Sequence, residues 1–448
     1  MKIAYCSPLN PLKSGISDYS EEILSHLYGF HEIDLYLVQK KLSSNQIKKK
    51  FNFFSIDKLN DNFGQYDLIV YHMGNNYDFH GEIYEYALKY PGIVILHDYC
   101  LQDFFLGKYY PEKTELYLDS LEQLYGKDTR NKGRFSLDGT RTPIWKTEEA
   151  LKYPLNHEII NKSKLTLVHS HFSEHSILDS KLNKGLVDYI PFPCQDCDIP
   201  SEETKKELKN KYGISDDKII LSSFGFVSRA KRIDKILQSL NNIKKRGIEN
   251  FLFLIVGEVI DESIKLEELI DNANLNDNVK IIGYTDLIAF KEYIQLSDIC
   301  LNLRYPTMGE SSASLFRILG YGKPVIVSNC GSFMDLPNNV SIKISTDENE
   351  VSELNDAVEL LILDKKVRLE MSLNAAKYIE KEHLIKSTIK AYIKSFEEVA
   401  RLDAIDYSLR KMAAIKEELF TPDYIPTSFI DAIDGIFDKT TLNEREEQ

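Results

Sequence analysis

The chain has 448 residues, enough for two or three domains, each with a full core. Hydrophobic residues make up 43% and charged residues 28%, which excludes a disordered chain and fits an ordinary globular one. The formal net charge of −14 argues against broad nucleic-acid backbone binding, so Lys40-Lys41 and Lys48-Lys49-Lys50 read as solvated surface.

The chain opens as a strand, Lys2–Ser7, with no charged region followed by a long apolar run, so neither a leader nor a membrane span is expected. Six cysteines without such a leader read as reduced thiols of a cytoplasmic protein. The close pair Cys194 and Cys197 lacks a second pair or nearby histidines, and Asp196-Cys-Asp198 is too short to count as a metal motif. No metal site is expected.

Further strands are predicted at Ile33–Val38, Asp67–Met73, Gly92–His97, Leu165–His169 and Asp188–Pro191. A second series follows at Ile219–Phe226, Phe251–Gly257, Val279–Tyr284, Asp298–Arg304 and Val325–Ser328. Runs such as Leu68-Ile-Val-Tyr71 and Phe251-Leu-Phe-Leu-Ile-Val256 are apolar throughout, the mark of parallel strands covered on both faces. The fold class is therefore α/β, with two doubly wound Rossmann-like domains facing across a cleft and helices at the C-terminus. The expected boundaries are 1–195, 196–385 and 386–448. Residues 100–160, helical at Thr114–Tyr125, form an insertion compatible with acceptor binding or with a surface excursion.

After Asp347 come helices at Val351–Leu363, Val367–Glu380 and Ile385–Leu419. The last carries Ile405, Leu409, Met412, Ile415 and Leu419 at amphipathic spacing. It is expected to pack on its own protein, a partner or a second copy. Peripheral membrane contact is the weaker alternative, because the opposite face is not strongly basic. The polar tail from Thr440 is expected to fray.

The segment from Arg304 to Ser328 is the most informative. Small residues, Ser311-Ser-Ala-Ser314, lead straight into an apolar helix, so uncovered N–H groups and the helix dipole offer a site for an anion beside Glu310. An ordinary strand–loop–helix–strand unit with a serine cap is the plain alternative.

With these residues in place, the chain resembles the GT-B retaining glycosyltransferases of family four over about residues 1–400. The loop Ser7–Ser20 resembles that family's glycine loop. There Gly15 and Ile16 would approach the donor diphosphate, Asp18 would face the acceptor, and Ser17 could cap the following helix. Phe224–Asp234 is similar to the family's phosphate-binding segment. Gly225 and Lys231 fit it, Phe226 stands where an arginine is usual, and Arg229 is the candidate to replace that charge. Counting back from Gly322-Lys-Pro324, the family's ribose-binding glutamate position falls on Arg317, read here as an ion-pair residue, while Glu310 is the candidate for the transferred sugar. His97 matches the family's active-site histidine, with Asp98 orienting it or facing an acceptor hydroxyl. His72, Asn75 and Asn76 fall on the acceptor side, and Gly257, Glu258, Tyr284 and Thr285 on the nucleobase side.

The resemblance implies transfer of a sugar from a nucleotide donor to a glycan, lipid-linked or protein hydroxyl, with retention and without a metal or other cofactor. It also suggests surface-glycan synthesis at the inner face of the membrane. His97, Glu310 and Lys231 would be the catalytic residues. The competing readings are an epimerase or phosphorylase on the same fold, and a catalytically silent subunit that binds a partner enzyme.

Overall fold

The computed structural model describes residues 1–195, 198–261 and 263–419, except the side chains of 404 and 406–419. Cys197, the polar tail and the amphipathic face from Leu409 to Leu419 lie outside the described residues. Residues 1–394 form one compact unit that contains both sheets. A second unit begins at Ser395, within the helix Ile385–Leu419.

The first sheet holds β1 (Lys2–Cys6), β2 (Glu32–Leu37), β3 (Asn52–Ser55), β4 (Leu68–Met73), β5 (Ile93–Leu96), β6 (Leu165–Val168) and β7 (Val187–Tyr189). The second holds β8 (Ile219–Phe224), β9 (Phe251–Val256), β10 (Val279–Gly283), β11 (Ile299–Asn302), β12 (Val325–Ser328) and β13 (Ser341–Ile344). Their orders are β3-β2-β1-β4-β5-β6-β7 and β10-β9-β8-β11-β12-β13, parallel throughout. Both sheets are thus wound outward in two directions from their first strand, as expected. All six residues of β4 and all four of β5 are buried, because helices cover both faces.

Two strands were absent from the sequence reading. β3 is an edge strand, Asn-Phe-Phe-Ser, with every residue exposed, and two phenylalanines are too short a run to mark a strand. β13 is a four-residue edge strand, Ser-Ile-Lys-Ile, half of it only partly covered.

The insertion is not a surface excursion. Its helices Gln102–Tyr109 and Thr114–Tyr125 drive Phe104, Tyr117, Leu118 and Leu121 into the same core as Tyr71 and Leu96. Burying aromatic rings contributes about 1.5–3 kcal/mol each, which makes these helices part of the lobe's stability. The chain crosses between lobes twice, and the crossings lie side by side. Cys194 N–H donates to His383 O at 2.7 Å, and Ile385 N–H donates to Cys194 O at 2.8 Å. From there the last helix returns to the first lobe, where the Tyr392 and Tyr19 hydroxyls meet at 2.6 Å. Among the described residues no helix is long and apolar enough to cross a membrane.

Candidate active site

Parallel strands bring their C-terminal ends to one side of each sheet, and the loops leaving those ends build the cleft. On the first lobe, β1 leads into the helix Gly15–Leu27. Ser14, not Ser17, caps it: Ser14 has extended backbone and accepts from Ile16 N–H, whereas Ser17 is already inside the helix and fully buried. A Cβ on Gly15 would meet nothing within 4 Å, so space remains open there. Ile16 packs over the tip of β4, where a Cβ on Gly74 would come 2.5 Å from its Cδ1. Asp18 turns to its own loop and accepts from Asn10 at 3.1 Å.

Three groups assigned to the acceptor side serve the scaffold. Asn75 gives its backbone N–H to Asp98 Oδ2 (2.7 Å) and its amide to Asp103 (3.0 Å), and accepts from Phe104 N–H (3.0 Å). Asn76 caps the helix Tyr77–Lys89 through Phe79 N–H. His72 is completely buried, with its Nδ1 2.9 Å from His97 Nε2, so it orients His97 and does not line the rim. Burial holds both imidazoles well below the usual histidine range, hence neutral at pH 7. The Tyr19 ring stands edge-on to His97 at 4.8 Å, and the His169 ring lies 5.4 Å from it. Neither Tyr19 nor His169 was singled out from sequence, because aromatic shells around a site carry no motif.

On the second lobe the backbone turns sharply after β8 and β9. A Cβ on Gly257 would fall 2.0 Å from Gly225 O, and Gly225 itself has φ +93°. Only glycine permits that approach. Lys231 follows, 3% exposed, its ammonium donating to Phe224 O at 2.8 Å. Burial pushes its pKa well down, and the Arg304 charge adds to that, while Glu310 opposes it. Glu310 sits 2.9 Å from Arg304 Nε, and its other oxygen accepts from Thr307 Oγ1 and Met308 N–H at 2.8 Å each. Lys231, Arg304 and Glu310 therefore form one electrostatic group. Arg229 stays outside it, highly exposed and paired with Asp261 and Ser263. The guanidinium beside Lys231 is Arg304, the first residue of the segment that stood out in the sequence.

Ser312 caps the helix Ala313–Gly320 by accepting from Leu315 N–H, and its hydroxyl lies 3.1 Å from that of Ser314. The N–H groups at the start of this helix have no intrahelical partner. Ser311 and Ser312 line a pocket with His169 and Ser170. Ala313 and Arg317 line a neighbouring crevice with Tyr19, Glu22, Phe192 and Pro193. Both spaces lie between the lobes. Arg317 pairs with Glu22 at 3.4 Å across that gap, the ion-pair role its position suggested. Glu258 pairs with Lys13 at 3.3 Å, again between lobes, and Lys13 lies 5.2 Å from the exposed Tyr284 ring. Thr285 follows, half-buried.

Asp98 is pushed up to about 7, first by burial and then by the Glu310 charge. A carboxyl that binds its proton more tightly in the folded state loses its contribution as pH climbs from the unfolded value, ~4, to the folded one. Melting curves of wild type and Asp98→Asn should diverge over that interval. The wild type should lose roughly 5 °C relative to the variant between pH 4 and 7. Parallel curves would mean that Asp98 is not the titrating group.

Comparison with known proteins bears on this geometry. Residues 204–378 match the family model described as glycosyl transferases group 1. A curated relative, an uncharacterized glycosyltransferase of Methanocaldococcus jannaschii (MJ1069), is 26% identical over 203 residues. That match takes in 44% of this chain and about half, 49%, of the relative. Among solved structures, Anabaena HepE in complex with UDP and glucose superposes with TM-score 0.64 and 13% identity, covering 89% of this chain and all of that one. Sucrose-phosphate synthase from Thermosynechococcus elongatus gives TM-score 0.61 and 14% identity, over 89% of this chain and 99% of that one. These likenesses establish the GT-B fold, two Rossmann-like lobes across a cleft. Residues 204–378 are thus similar to the glycosyl transferases group 1, and the chain spans about half the length of the curated relative it matches.

Proposed function

We propose that this protein transfers a sugar from a nucleoside diphosphate donor to an acceptor hydroxyl, with retention of configuration and without a metal ion. The observation that carries this reading is the group of buried Lys231 with half-buried Arg304 and Glu310, on the lobe whose helix opens at Ser311–Ser314. The leaving diphosphate gains negative charge as the glycosidic bond breaks. Arg304 and the amides at the helix start are fixed positive groups suited to that charge, and a diphosphate beside Lys231 would hold its amine protonated against the effect of burial. Glu310, held by Arg304, Thr307 and Met308, would receive sugar hydroxyls in a set geometry. His97, kept neutral and steadied by His72, would polarise the sugar from the other lobe, and the departing phosphate would help take the acceptor proton on the same face. A structural neighbour binds UDP-glucose, which makes a uridine diphosphate sugar the first donor to try.

The test is nucleotide release from UDP-, GDP- and dTDP-sugars, with and without candidate acceptors, alongside melting curves with each nucleotide. Acceptor-dependent release with one raised melting temperature is the expected result. Release independent of acceptor would favour an epimerase or hydrolase. Binding without release would favour a silent partner subunit.

A further inference from the structure

A second constellation lies on the lobe boundary, outside the group around Lys231. The sequence His171-Phe-Ser-Glu-His175 begins the helix His171–Leu178, capped by Ser170, whose hydroxyl accepts from Ser173 N–H. Residues three and four apart share a helix face, so His171, Glu174 and His175 stand together. One ligand atom from each lies within 4.8 Å of the other two. His171 Nδ1 is already 2.8 Å from Glu174 Oε2, and the His171 ring stacks on Tyr189 with centroids 4.0 Å apart. The His175 ring lies nearly parallel to that of His171, 6.0 Å away. The imidazole is thus held in place before any ligand arrives. A surface ion pair between His171 and Glu174 explains two of these groups and leaves His175 on the same face unexplained.

We infer that His171, Glu174 and His175 bind one divalent ion of the zinc class at the lobe boundary. Two imidazole nitrogens and a carboxylate oxygen suit zinc or cobalt, whereas calcium and magnesium want oxygen alone. Three protein ligands leave a coordination position for water. Across the boundary, the Asp335 carboxylate accepts from Phe172 N–H at 3.0 Å. That adds negative potential favouring a cation. His171 and Asp335 line the same pocket, which gives the ion access.

The position gives the ion a role distinct from chemistry at the donor. Phe172, inside the motif, packs against Gly309, the residue before Glu310. A metal that stiffens the first turn of this helix would steady the loop that carries Glu310.

Tag-free protein stripped with chelator should bind one zinc ion per chain by calorimetry. Cobalt should give the visible absorption of a low-coordinate nitrogen and oxygen site, and magnesium should give no heat. His175→Ala or Glu174→Gln should weaken zinc binding at least about tenfold, and the double variant His171→Ala/His175→Ala should lose it. Zinc should raise the melting temperature of wild type above its metal-free value and leave the double variant at its own metal-free value. Equal zinc affinity in wild type and double variant would overturn the assignment by locating the ion elsewhere. So would absence of zinc binding in the wild type.

Discussion

Lys231→Met should lower sugar transfer by about 100- to 1,000-fold, the usual cost of removing one fixed charge aimed at a developing anion. Methionine keeps the length and most of the volume, so the pocket is not emptied. Two structural effects oppose each other. Phe224 O loses its donor, which costs about 1 kcal/mol. A buried ammonium whose charged state is disfavoured by burial and by Arg304 disappears, which acts in the opposite direction. The melting temperature should therefore stay within a few degrees of wild type. The loss should fall on kcat at least as strongly as on KM, because the charge at stake grows only as the donor bond breaks. Lys13→Ala supplies the contrast. Lys13 is an exposed lysine also facing the other lobe, its pair with Glu258 is solvent-screened, and its loss should change the rate only a few-fold. A folded Lys231→Met protein with the rate of wild type would remove Lys231 from the mechanism.

The frame of the molecule was legible because parallel strands buried on both faces must be apolar throughout. β5 and β9 announce themselves in that way, and β4 does so as far as Tyr71. Edge strands face no such demand, and β3 and β13 passed unnoticed. Within the site, glycines were readable where backbones must touch, as at Gly225 and Gly257. Polar side chains were harder to read, since Asn75 has the composition of a binding residue yet is spent on Asp98, Asp103 and Phe104. Pairings between residues distant in sequence lay beyond local patterns altogether. Arg317 with Glu22 is one, and the shared field of Lys231, Arg304 and Glu310 is another. The guanidinium whose charge reaches Lys231 comes from beyond another strand end, at Arg304, which no local pattern around Phe226 reveals.

The second large effect is expected from a single methyl group. Gly309 has φ +72°, a conformation that costs a residue with a side chain about 1–2 kcal/mol. A Cβ there would also fall 2.6 Å from Tyr99 Cβ and 3.1 Å from Phe172 Cε1, both on the other lobe. Around it the lobes are stitched by Cys100 N–H to Met308 O at 2.8 Å and by Ser173 Oγ to Gly309 O at 3.3 Å. Tyr99 is buried on the first lobe, so the loop must give way, carrying Glu310 away from His97 and Asp98. Misplacement of about 1 Å suffices for a 100-fold loss, and Gly309→Ala should lose transfer to about that extent. Lys231, Arg304 and the helix Ala313–Gly320 lie on the second lobe outside the displaced turn and keep their mutual geometry. Nucleotide affinity should therefore stay within about threefold of wild type, since the groups proposed to hold the diphosphate have not moved relative to one another. The split between retained binding and lost transfer distinguishes a displaced loop from a damaged donor site. If Gly309→Ala weakened nucleotide binding in step with the rate, the diphosphate would depend on contacts from both lobes. The division of labour between a donor-holding lobe and a sugar-polarising one would then have to be abandoned.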